Sequence, residues 1–248
     1  MKLSIIIPVY NEEKTILSIL EKVRSLEIPN VEKEIIVVDD GSTDATASEI
    51  RFSARNLLKA SNSKLEIRNI KLIRHDRNQG KGAAVKTGIE KATGDYVIIQ
   101  DADLEYDPEF IISLMEPVIN GKAKIVYGTR LKRWPNFSKD ERTAQFLLHY
   151  LGNKFLSLFT SILYGQWMTD METCYKLFPK NALTGIELKA KGFEFEPEIT
   201  AKFLKKGFKI LEIPISTKPR GYDEGKKLNT FRDGLIAFWI LLKYRFTD

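Results

Sequence analysis

The sequence contains very little cysteine and histidine. Its 248 residues include one cysteine, Cys174, and two histidines, His75 and His149. A single cysteine excludes an intramolecular disulfide framework, and this set cannot assemble a zinc site of the usual Cys/His kind. The composition is compatible with a reducing compartment.

Long hydrophobic runs are also missing. The longest uninterrupted apolar run extends from Leu235 to Leu242, whereas a membrane span needs roughly 18 apolar residues. The apolar run at residues 3–9 is soon followed by Asn11-Glu12-Glu13, which does not fit a signal peptide. We therefore expect any membrane attachment to be peripheral.

Positive charge is in excess and is unevenly distributed. The net charge is +6, and residues 201–248 account for the whole excess with 11 basic and 5 acidic side chains. Such a segment favours an anionic partner, which could be phosphate, an acidic membrane surface or nucleic acid. Nucleic acid is disfavoured because the basic residues are not interleaved with stacking aromatics in a recognisable module.

Short β-branched runs alternate with longer helical patterns through about residue 128. This rhythm predicts an α/β fold with a mostly parallel sheet flanked by helices. We predict strands at 3–9, 34–38, 70–74, 96–99 and 124–127, and helices at 12–26, 44–60, 80–92 and 108–119.

The remaining residues are predicted to be helical with two further strands. Residues 142–165 carry apolar side chains on several sides, which fits either a buried helical pair over the sheet or an interfacial membrane helix. A strand at 173–178, a helix at 196–206, a strand at 209–215 and an amphipathic helix at 230–244 follow. Because no repeat or linker interrupts the pattern, we expect one domain over residues 1–248.

Acidic residues follow two of the predicted strands at the point where each strand ends. One strand leads into Asp39-Asp40, and another leads into Asp101-Ala102-Asp103. The carboxyl ends of strands form the ligand crevice of open α/β sheets. Asp101 and Asp103 could therefore hold one hard cation, Mg²⁺ or Mn²⁺, that bridges to a diphosphate. The alternative is that either aspartate only caps the following segment.

Four motifs, in order, resemble the signatures of family 2 glycosyltransferases with the GT-A (nucleotide-diphospho-sugar transferase) fold. They are Ile5-Ile6-Ile7-Pro8-Val9-Tyr10-Asn11-Glu12, Val37-Val38-Asp39-Asp40-Gly41-Ser42-Thr43-Asp44, Asn78-Gln79-Gly80-Lys81-Gly82-Ala83-Ala84 and Asp101-Ala102-Asp103. Residues 101–108 and 128–130 resemble the dolichyl-phosphate mannose and glucose synthases of that family. The resemblance implies a nucleotide-sugar-binding half at 1–130 and an acceptor-binding half at 131–248.

The resemblance implies roles for residues near the nucleotide. Pro8, Tyr10 and Glu12 would frame the base and ribose, and Asp39 would form a hydrogen bond with one of them. Asp40 is less favoured for the same pocket, because its side chain should point the other way along an extended segment.

The resemblance assigns a second group of residues to the diphosphate end of the site. Lys81 lies between two glycines, where the backbone can approach the nucleotide closely. Asp101 and Asp103, on either side of Ala102, would hold Mg²⁺ or Mn²⁺. Glu105 would be a third oxygen ligand, or else a solvated loop residue.

At the acceptor end the resemblance implies two arginines and one acid. Arg130 and Arg142 match positions that grip an acceptor phosphate. Asp170 would be the general base if the acceptor is an alcohol. A lipid phosphate is already an anion and needs no base, so Asp170 would then orient basic groups. A capping or surface role for Asp170 also stays open.

The excess basic charge fits the same interpretation. The segment that contains Arg220, Lys226 and Lys227 resembles a mobile loop that closes over the nucleotide diphosphate, although it could be a solvated basic turn. The apolar stretches at 146–164 and 235–246 would contact a membrane peripherally. They could instead be core or a homo-oligomer interface.

The sequence thus predicts a metal-dependent, inverting glycosyltransferase at the cytoplasmic face of a membrane. It would move a hexose from UDP-glucose, GDP-mannose or a related donor to a polyprenyl phosphate. One alternative is transfer to a hydroxyl of a glycan or small molecule, with Asp170 as base. A more remote alternative is a catalytically silent nucleotide-sugar-binding protein.

Overall fold

The structure is a computed structural model that describes residues 1–52, 70–131, 144–218 and 230–247. Three predictions from the sequence concern residues outside these ranges. They are Arg142, the basic segment with Arg220, Lys226 and Lys227, and the helix predicted at 44–60 beyond its described part, which is helical over 46–52.

Seven short strands of the described residues form the central sheet. They are β1 (Lys2–Val9), β2 (Glu32–Asp39), β3 (Ile70–Arg74), β4 (Tyr96–Ile99), β5 (Ile125–Thr129), β6 (Lys176–Pro179) and β7 (Ile210–Pro214). Their order is β3-β2-β1-β4-β6-β5-β7. Six strands run in one direction, and β6 is antiparallel to its neighbours β4 and β5. The prediction of a mostly parallel α/β sheet is confirmed.

Within the described ranges, six helices of at least ten residues accompany the sheet. They are α1 (Ile16–Ser25), α2 (Lys81–Lys91), α3 (Phe110–Ile119), α4 (Ala144–Tyr164), α5 (Phe195–Lys205) and α6 (Thr230–Phe246). The central strands are buried on both faces, which explains why β1 and β4 are runs of aliphatic residues without polar alternation. Ile5, Ile6 and Ile7 of β1 and Ile98 and Ile99 of β4 have no exposed surface.

The sheet grows in two directions from β1. The chain adds β2 and then β3 on one side of β1, and then returns to place β4 on the other side. Where the chain leaves one strand toward one edge of the sheet and leaves the neighbouring strand toward the other edge, a crevice opens beyond the carboxyl ends of the two strands. The fold therefore places a crevice next to Val9 and Ile99, the last residues of β1 and β4.

The described part of the segment 142–165, residues 144–165, does not form the helical pair that the sequence allowed. From Ala144 onward they form the single helix α4, which passes through Gly152 without a break. A glycine costs a helix only about 1 kcal/mol relative to alanine. That cost is small beside the packing of α4, which shares a hydrophobic cluster with α5 and α6 through Leu156, Ala201 and Leu241.

The outer surfaces of α4 and α6 expose large apolar side chains. On α4 these are Leu148, Leu151, Phe155, Leu158 and Ile162, and on α6 they are Phe231, Leu235, Trp239 and Phe246. We call these nine residues the apolar face. Within the described parts of the chain, no helix combines the length and apolar character needed to cross a membrane.

Candidate active site

A cavity of about 450 Å³ lies at the crevice between the carboxyl ends of β1 and β4. This volume is within the range of small-molecule sites. Ten of the residues singled out in the sequence line it: Pro8, Tyr10, Glu12, Asp40, Lys81, Asp101, Ala102, Asp103, Glu105 and Arg130. The structure therefore gathers residues from all four sequence motifs, and the residue after β5, around one cavity.

The first two motifs are held together by hydrogen bonds between their loops. Asn11, in the left-handed region with φ 51°, donates its backbone N–H to the Ser42 hydroxyl over 3.0 Å. The Glu12 N–H donates to the Thr46 hydroxyl at 2.8 Å, and the Thr43 N–H donates to the Asn11 side-chain oxygen at 2.8 Å. The polar residues after β1 and β2 thus fix the wall formed by Pro8, Tyr10 and Glu12.

Asp39 and Asp40 occupy the opposite positions from those favoured by the sequence. Asp39 is the last residue of β2, is fully buried, and forms an ion pair of 3.2 Å with its cross-strand neighbour Arg74. Asp40 is the one that lines the cavity. The strand ends at Asp39, so the strict alternation of side chains does not extend to Asp40.

Asp40 fixes the start of α2. Its carboxylate accepts hydrogen bonds from the N–H groups of Gln79 and Gly80, at 3.0 and 2.7 Å, and lies 2.6 Å from His75 Nδ1. Gly80 has φ +100°, and a Cβ there would lie 2.3 Å from the carbonyl oxygen of Lys191. Glycine is required at this position because the loops around 80 and 191 approach each other so closely.

The turn at Gly80 places Lys81 beside two acidic residues, Asp101 and Glu196. Lys81 Nζ lies 2.8 Å from Asp101, 3.6 Å from Glu196 and 3.2 Å from the thiol of Cys174. Burial alone would lower the pKa of Lys81, but the negative charge of Asp101 and its other acidic neighbours outweighs burial and places the pKa well above its usual value. Lys81 is therefore a permanent cation at the floor of the cavity.

Asp101, Asp103 and Glu105 all face this cavity, and Asp103 Oδ1 accepts a hydrogen bond from the Glu105 N–H at 3.1 Å. Among the described residues there is no preformed group of three or more metal-ligating side chains. A cation such as Mg²⁺ is commonly held by one or two carboxylates, with the remaining ligands supplied by substrate phosphates and water. Asp101 and Asp103 fit that pattern, and their oxygen donors suit Mg²⁺ or Mn²⁺.

Arg130 follows β5 and is joined to Asp170. Its Nε and Nη2 donate to the two carboxylate oxygens of Asp170, each over 2.7 Å, and its backbone N–H donates to Asp170 at 2.8 Å. Burial would raise the pKa of Asp170, but Arg130 outweighs burial, so the pKa lies below its usual value. A fully buried carboxylate with both oxygens engaged by an arginine is poorly suited to act as a general base. The geometry instead suits the alternative in which Asp170 orients a basic group.

Several residues that line the cavity were not predicted as site residues. Among them are His149, Glu172, Phe193 and Glu196. Glu172 lies two residues after Asp170, which the sequence did single out, so its position was partly signalled. Glu196 lies in the first turn of α5. Its approach to Lys81 is a contact between distant parts of the chain, which the local sequence pattern does not predict.

A second, smaller cavity of about 80 Å³ adjoins the first. Both cavities share Arg130, His149, Glu172 and Phe193 in their walls. The smaller one lies between α4 and α6, where it is lined by Gly152, Asn153, Leu156, Asp233, Gly234 and Ala237. The polar site is therefore connected to the pair of helices that carry the apolar face.

The fold and cavity define an α/β protein with an acidic ligand site at the switch point of its sheet. The chain belongs to Glycosyl transferase family 2, whose family model matches residues 4–184. It is a glycosyltransferase, and the resemblance noted in the sequence is confirmed.

Two similar proteins extend over nearly the whole chain. The UDP-N-acetylglucosamine–dolichyl-phosphate N-acetylglucosaminyltransferase of Methanococcus voltae is 31% identical over 245 residues, which covers 96% of this chain and 94% of that protein. The dolichol-phosphate mannosyltransferase of Pyrococcus furiosus is 29% identical over 250 residues, which covers 98% of this chain and 64% of that protein.

Solved structures confirm the GT-A fold. Glucosyl-3-phosphoglycerate synthase of Mycobacterium tuberculosis has a TM-score of 0.72 and 20% identity, and the match covers 100% of this chain and 82% of that one. Its complex with Mn²⁺, UDP and glucosyl-3-phosphoglycerate has a TM-score of 0.70 and 19% identity, with 100% of this chain and 81% of that one covered. At these identities the likeness concerns the fold alone.

Proposed function

We propose that this glycosyltransferase moves a sugar from a nucleoside-diphosphate sugar to a polyprenyl phosphate, with a divalent metal and with inversion at the anomeric carbon. One observation carries the proposal. A single cavity joins the carboxylates of Asp101 and Asp103 to the guanidinium of Arg130, and it continues toward the helices that carry the apolar face.

The nucleotide sugar is proposed to lie along the walls supplied by β1, β2 and β4. Pro8, Tyr10, Glu12 and Asp40 would surround the nucleoside. Asp39 would support this wall indirectly, through its ion pair with Arg74 at the end of β2. Asp101 and Asp103 would hold Mg²⁺ or Mn²⁺, with Glu105 adjacent. When bound, such a cation supplies positive charge that stabilises the departing diphosphate.

Lys81 contributes a second positive charge at that end of the cavity. Its ammonium group lies against Asp101 and stays charged because of its acidic neighbours. In the absence of ligand this pairing offsets the repulsion among the carboxylates. We propose that Lys81 also attracts the diphosphate, together with the basic segment at 220–227 that lies outside the described residues.

The acceptor phosphate is proposed to bind Arg130. Two of its nitrogens are engaged by Asp170, so the guanidinium has a fixed plane and a fixed position at the cavity wall. A phosphate monoester is already an anion, so it can attack the anomeric carbon without a base. Asp170 then serves as a positioning residue, which agrees with its burial behind Arg130.

The apolar face would bring the protein to the lipid. Two helices that contact each other both carry several large exposed aromatic and aliphatic side chains, and exposed apolar surface of this kind is typical of an interaction surface. Trp239 near the middle of α6 and Lys243 and Arg245 near its end combine apolar and basic groups, as in helices that lie at a membrane surface. We propose peripheral attachment through this face, which would present the acceptor phosphate close to Arg130.

The donor is proposed only as a class. The two relatives are named for UDP-N-acetylglucosamine and for mannose transfer, and the sequence suggested UDP-glucose or GDP-mannose. We therefore propose a UDP- or GDP-linked hexose or N-acetylhexosamine as the donor.

A donor panel tests the proposal. The protein is incubated with a short polyprenyl phosphate, Mn²⁺ or Mg²⁺, and in turn UDP-N-acetylglucosamine, UDP-glucose and GDP-mannose, and the lipid product is identified by mass spectrometry. We expect one donor to give a glycosyl phosphate lipid, and we expect a chelator to abolish its formation. Nucleotide release that is independent of the lipid phosphate would contradict the proposed acceptor.

A further inference from the structure

Glu172 lies where the two cavities meet, and it has no role in the site as described so far. It lines both cavities, next to Arg130 and Phe193. Its Oε1 atom is buried, and among the described residues it has no hydrogen-bond partner. Buried carboxylate oxygens are nearly always hydrogen-bonded, so an unpartnered one at a cavity wall points to a ligand group.

The backbone around Glu172 is rigidly held. Lys176 Nζ donates to the carbonyl oxygens on both sides of it, at 2.8 Å to Met171 and 2.5 Å to Thr173. The N–H of Met171 donates to the Ser157 hydroxyl at 3.0 Å. These contacts fix the backbone from which the Glu172 side chain extends at the cavity wall. A site built on a fixed backbone suits recognition of a specific partner.

A continuous line of contacts connects Glu172 to the metal-binding end. Lys176, which fixes the turn around Glu172, forms an ion pair of 3.0 Å with Glu196. Glu196 lies 3.6 Å from Lys81, which is paired with Asp101. Glu172 therefore belongs to the same wall as the diphosphate site, on the side nearer to Arg130, which is where the transferred sugar must lie between leaving group and acceptor.

The chemistry of Glu172 distinguishes among the possible ligand groups. A phosphate dianion carries no hydrogen-bond donor and would be repelled by a carboxylate. A sugar ring carries hydroxyl groups, and in some donors an amide N–H, that can donate to Oε1. Burial raises the pKa of Glu172 to about 7, with Glu196 and Asp170 adding to the rise and Lys176 and Arg130 opposing it. Donated hydrogen bonds would restore the solvation that the carboxylate has lost.

We infer that Glu172 recognises the sugar of the donor, by accepting hydrogen bonds from its hydroxyl or amide groups, and so contributes to the choice of sugar. This inference rests on the proposed function to the extent that the donor is a nucleotide sugar. It does not depend on the identity of the acceptor.

Binding of a nucleotide sugar and of the matching free nucleotide separates sugar recognition from a structural role. Dissociation constants with Mn²⁺ are measured for UDP, UDP-N-acetylglucosamine and UDP-glucose, and for GDP and GDP-mannose, with no acceptor present. In Glu172→Ala we expect the preferred nucleotide sugar to bind about tenfold more weakly or worse, because a hydrogen bond to a charged group is lost. We expect the matching nucleotide alone to bind within about twofold of wild type.

Two further variants keep the test decisive. Glu172→Gln fills the same space, so it provides the test if the alanine variant does not fold. It should weaken binding of the nucleotide sugar but not of the nucleotide, and it should alter the ratio of affinities among the donors. Glu116→Ala removes an exposed carboxylate of α3 and serves as the matched control. Equal weakening of nucleotide and nucleotide sugar, or no weakening of either, would overturn the inference.

The test is independent of the acceptor. If the wild-type protein binds a nucleotide sugar but transfers nothing to polyprenyl phosphate, the proposed acceptor is wrong and the role of Glu172 is still decided by the binding data. If the wild-type protein transfers sugar and the Glu172 variants show no selective loss, only the inference about Glu172 fails.

Discussion

The guanidinium of Arg130 is joined to the carboxylate of Asp170 by two hydrogen bonds of 2.7 Å. Arg130 reaches the cavity, whereas Asp170 is fully buried behind it. Under the proposed function, the arginine would contact the acceptor and the aspartate would position that arginine.

The first prediction concerns the Arg130–Asp170 pair. Asp170→Asn leaves the arginine without its charged partner, and breaking a buried pair costs about 3 kcal/mol of unfolding free energy. We expect a loss of that order in urea unfolding, together with a higher KM for the acceptor. A variant with normal stability and normal acceptor KM but a strongly reduced kcat would instead indicate a catalytic base.

The second prediction concerns the proposed metal ligands Asp101 and Asp103. Asp103→Ala should lower turnover by at least about 100-fold, because the loss of one ligand weakens the charge stabilisation of the leaving diphosphate. The same variant should lose Mn²⁺-dependent binding of the nucleoside diphosphate, measured by calorimetry. Asp76→Ala removes an exposed aspartate and is the matched control. Unchanged Mn²⁺-dependent binding in Asp103→Ala would remove the metal assignment.

The third prediction concerns the close approach at Gly80. In Gly80→Ala the new Cβ would meet the Lys191 carbonyl oxygen at 2.3 Å, and the residue would keep φ +100°. Gly121 has φ +66°, and a Cβ added there would have nothing within 4 Å, so Gly121→Ala measures the cost of a positive φ without a steric clash, about 1–2 kcal/mol. We expect Gly80→Ala to lose clearly more stability than Gly121→Ala, and to bind the nucleotide sugar more weakly because Lys81 is displaced. Equal losses would show that the two loops separate without cost.

The fourth prediction concerns acid stability. Burial alone would raise the pKa of Glu34, but hydrogen bonds from Ser4, Thr93 and Lys71 outweigh it and the pKa lies at about 2. A carboxylate with a depressed pKa stabilises the fold above its unfolded pKa of 4.5 and loses that contribution as the pH falls toward 2. The contribution at neutral pH is about 3 kcal/mol.

Glu34→Gln tests this account of acid stability. Urea unfolding of the variant should show lower stability at neutral pH and a shallower decline between about pH 4.5 and 2 than the wild type. An unchanged slope over that range would show that other carboxylates dominate the acid transition.

Much of this organisation could be predicted from the sequence. The strands at Ile70–Arg74 and Tyr96–Ile99 match their predicted bounds. The apolar run at Tyr96–Ile99 marks a central strand buried on both faces, whereas Ile70–Arg74 mixes apolar and basic residues and forms the partly exposed edge strand β3. The acidic residues after β4 were identified as cavity residues because strand ends and ligand sites coincide in open α/β sheets.

The remainder depends on contacts between distant parts of the chain. The insertion of β6 between β4 and β5 and its antiparallel direction arise from long-range pairing, which a local pattern does not record. Asp40 rather than Asp39 lines the cavity because β2 ends at Asp39 and pairs this residue with Arg74 of β3. Glu172 and Glu196 meet at the cavity through tertiary contacts, among them those of the fully buried Lys176 with both of their segments.

The central claim is that the acceptor is a lipid phosphate bound by Arg130. The most direct measurement compares sugar transfer to a polyprenyl phosphate and to the polyprenol of the same length, with the preferred donor and Mn²⁺, in the wild type and in Arg130→Lys. The account predicts product from the phosphate alone and a raised acceptor KM in Arg130→Lys, since lysine cannot form the two parallel hydrogen bonds. Equal transfer to the polyprenol, or an acceptor KM unchanged in Arg130→Lys, would contradict it.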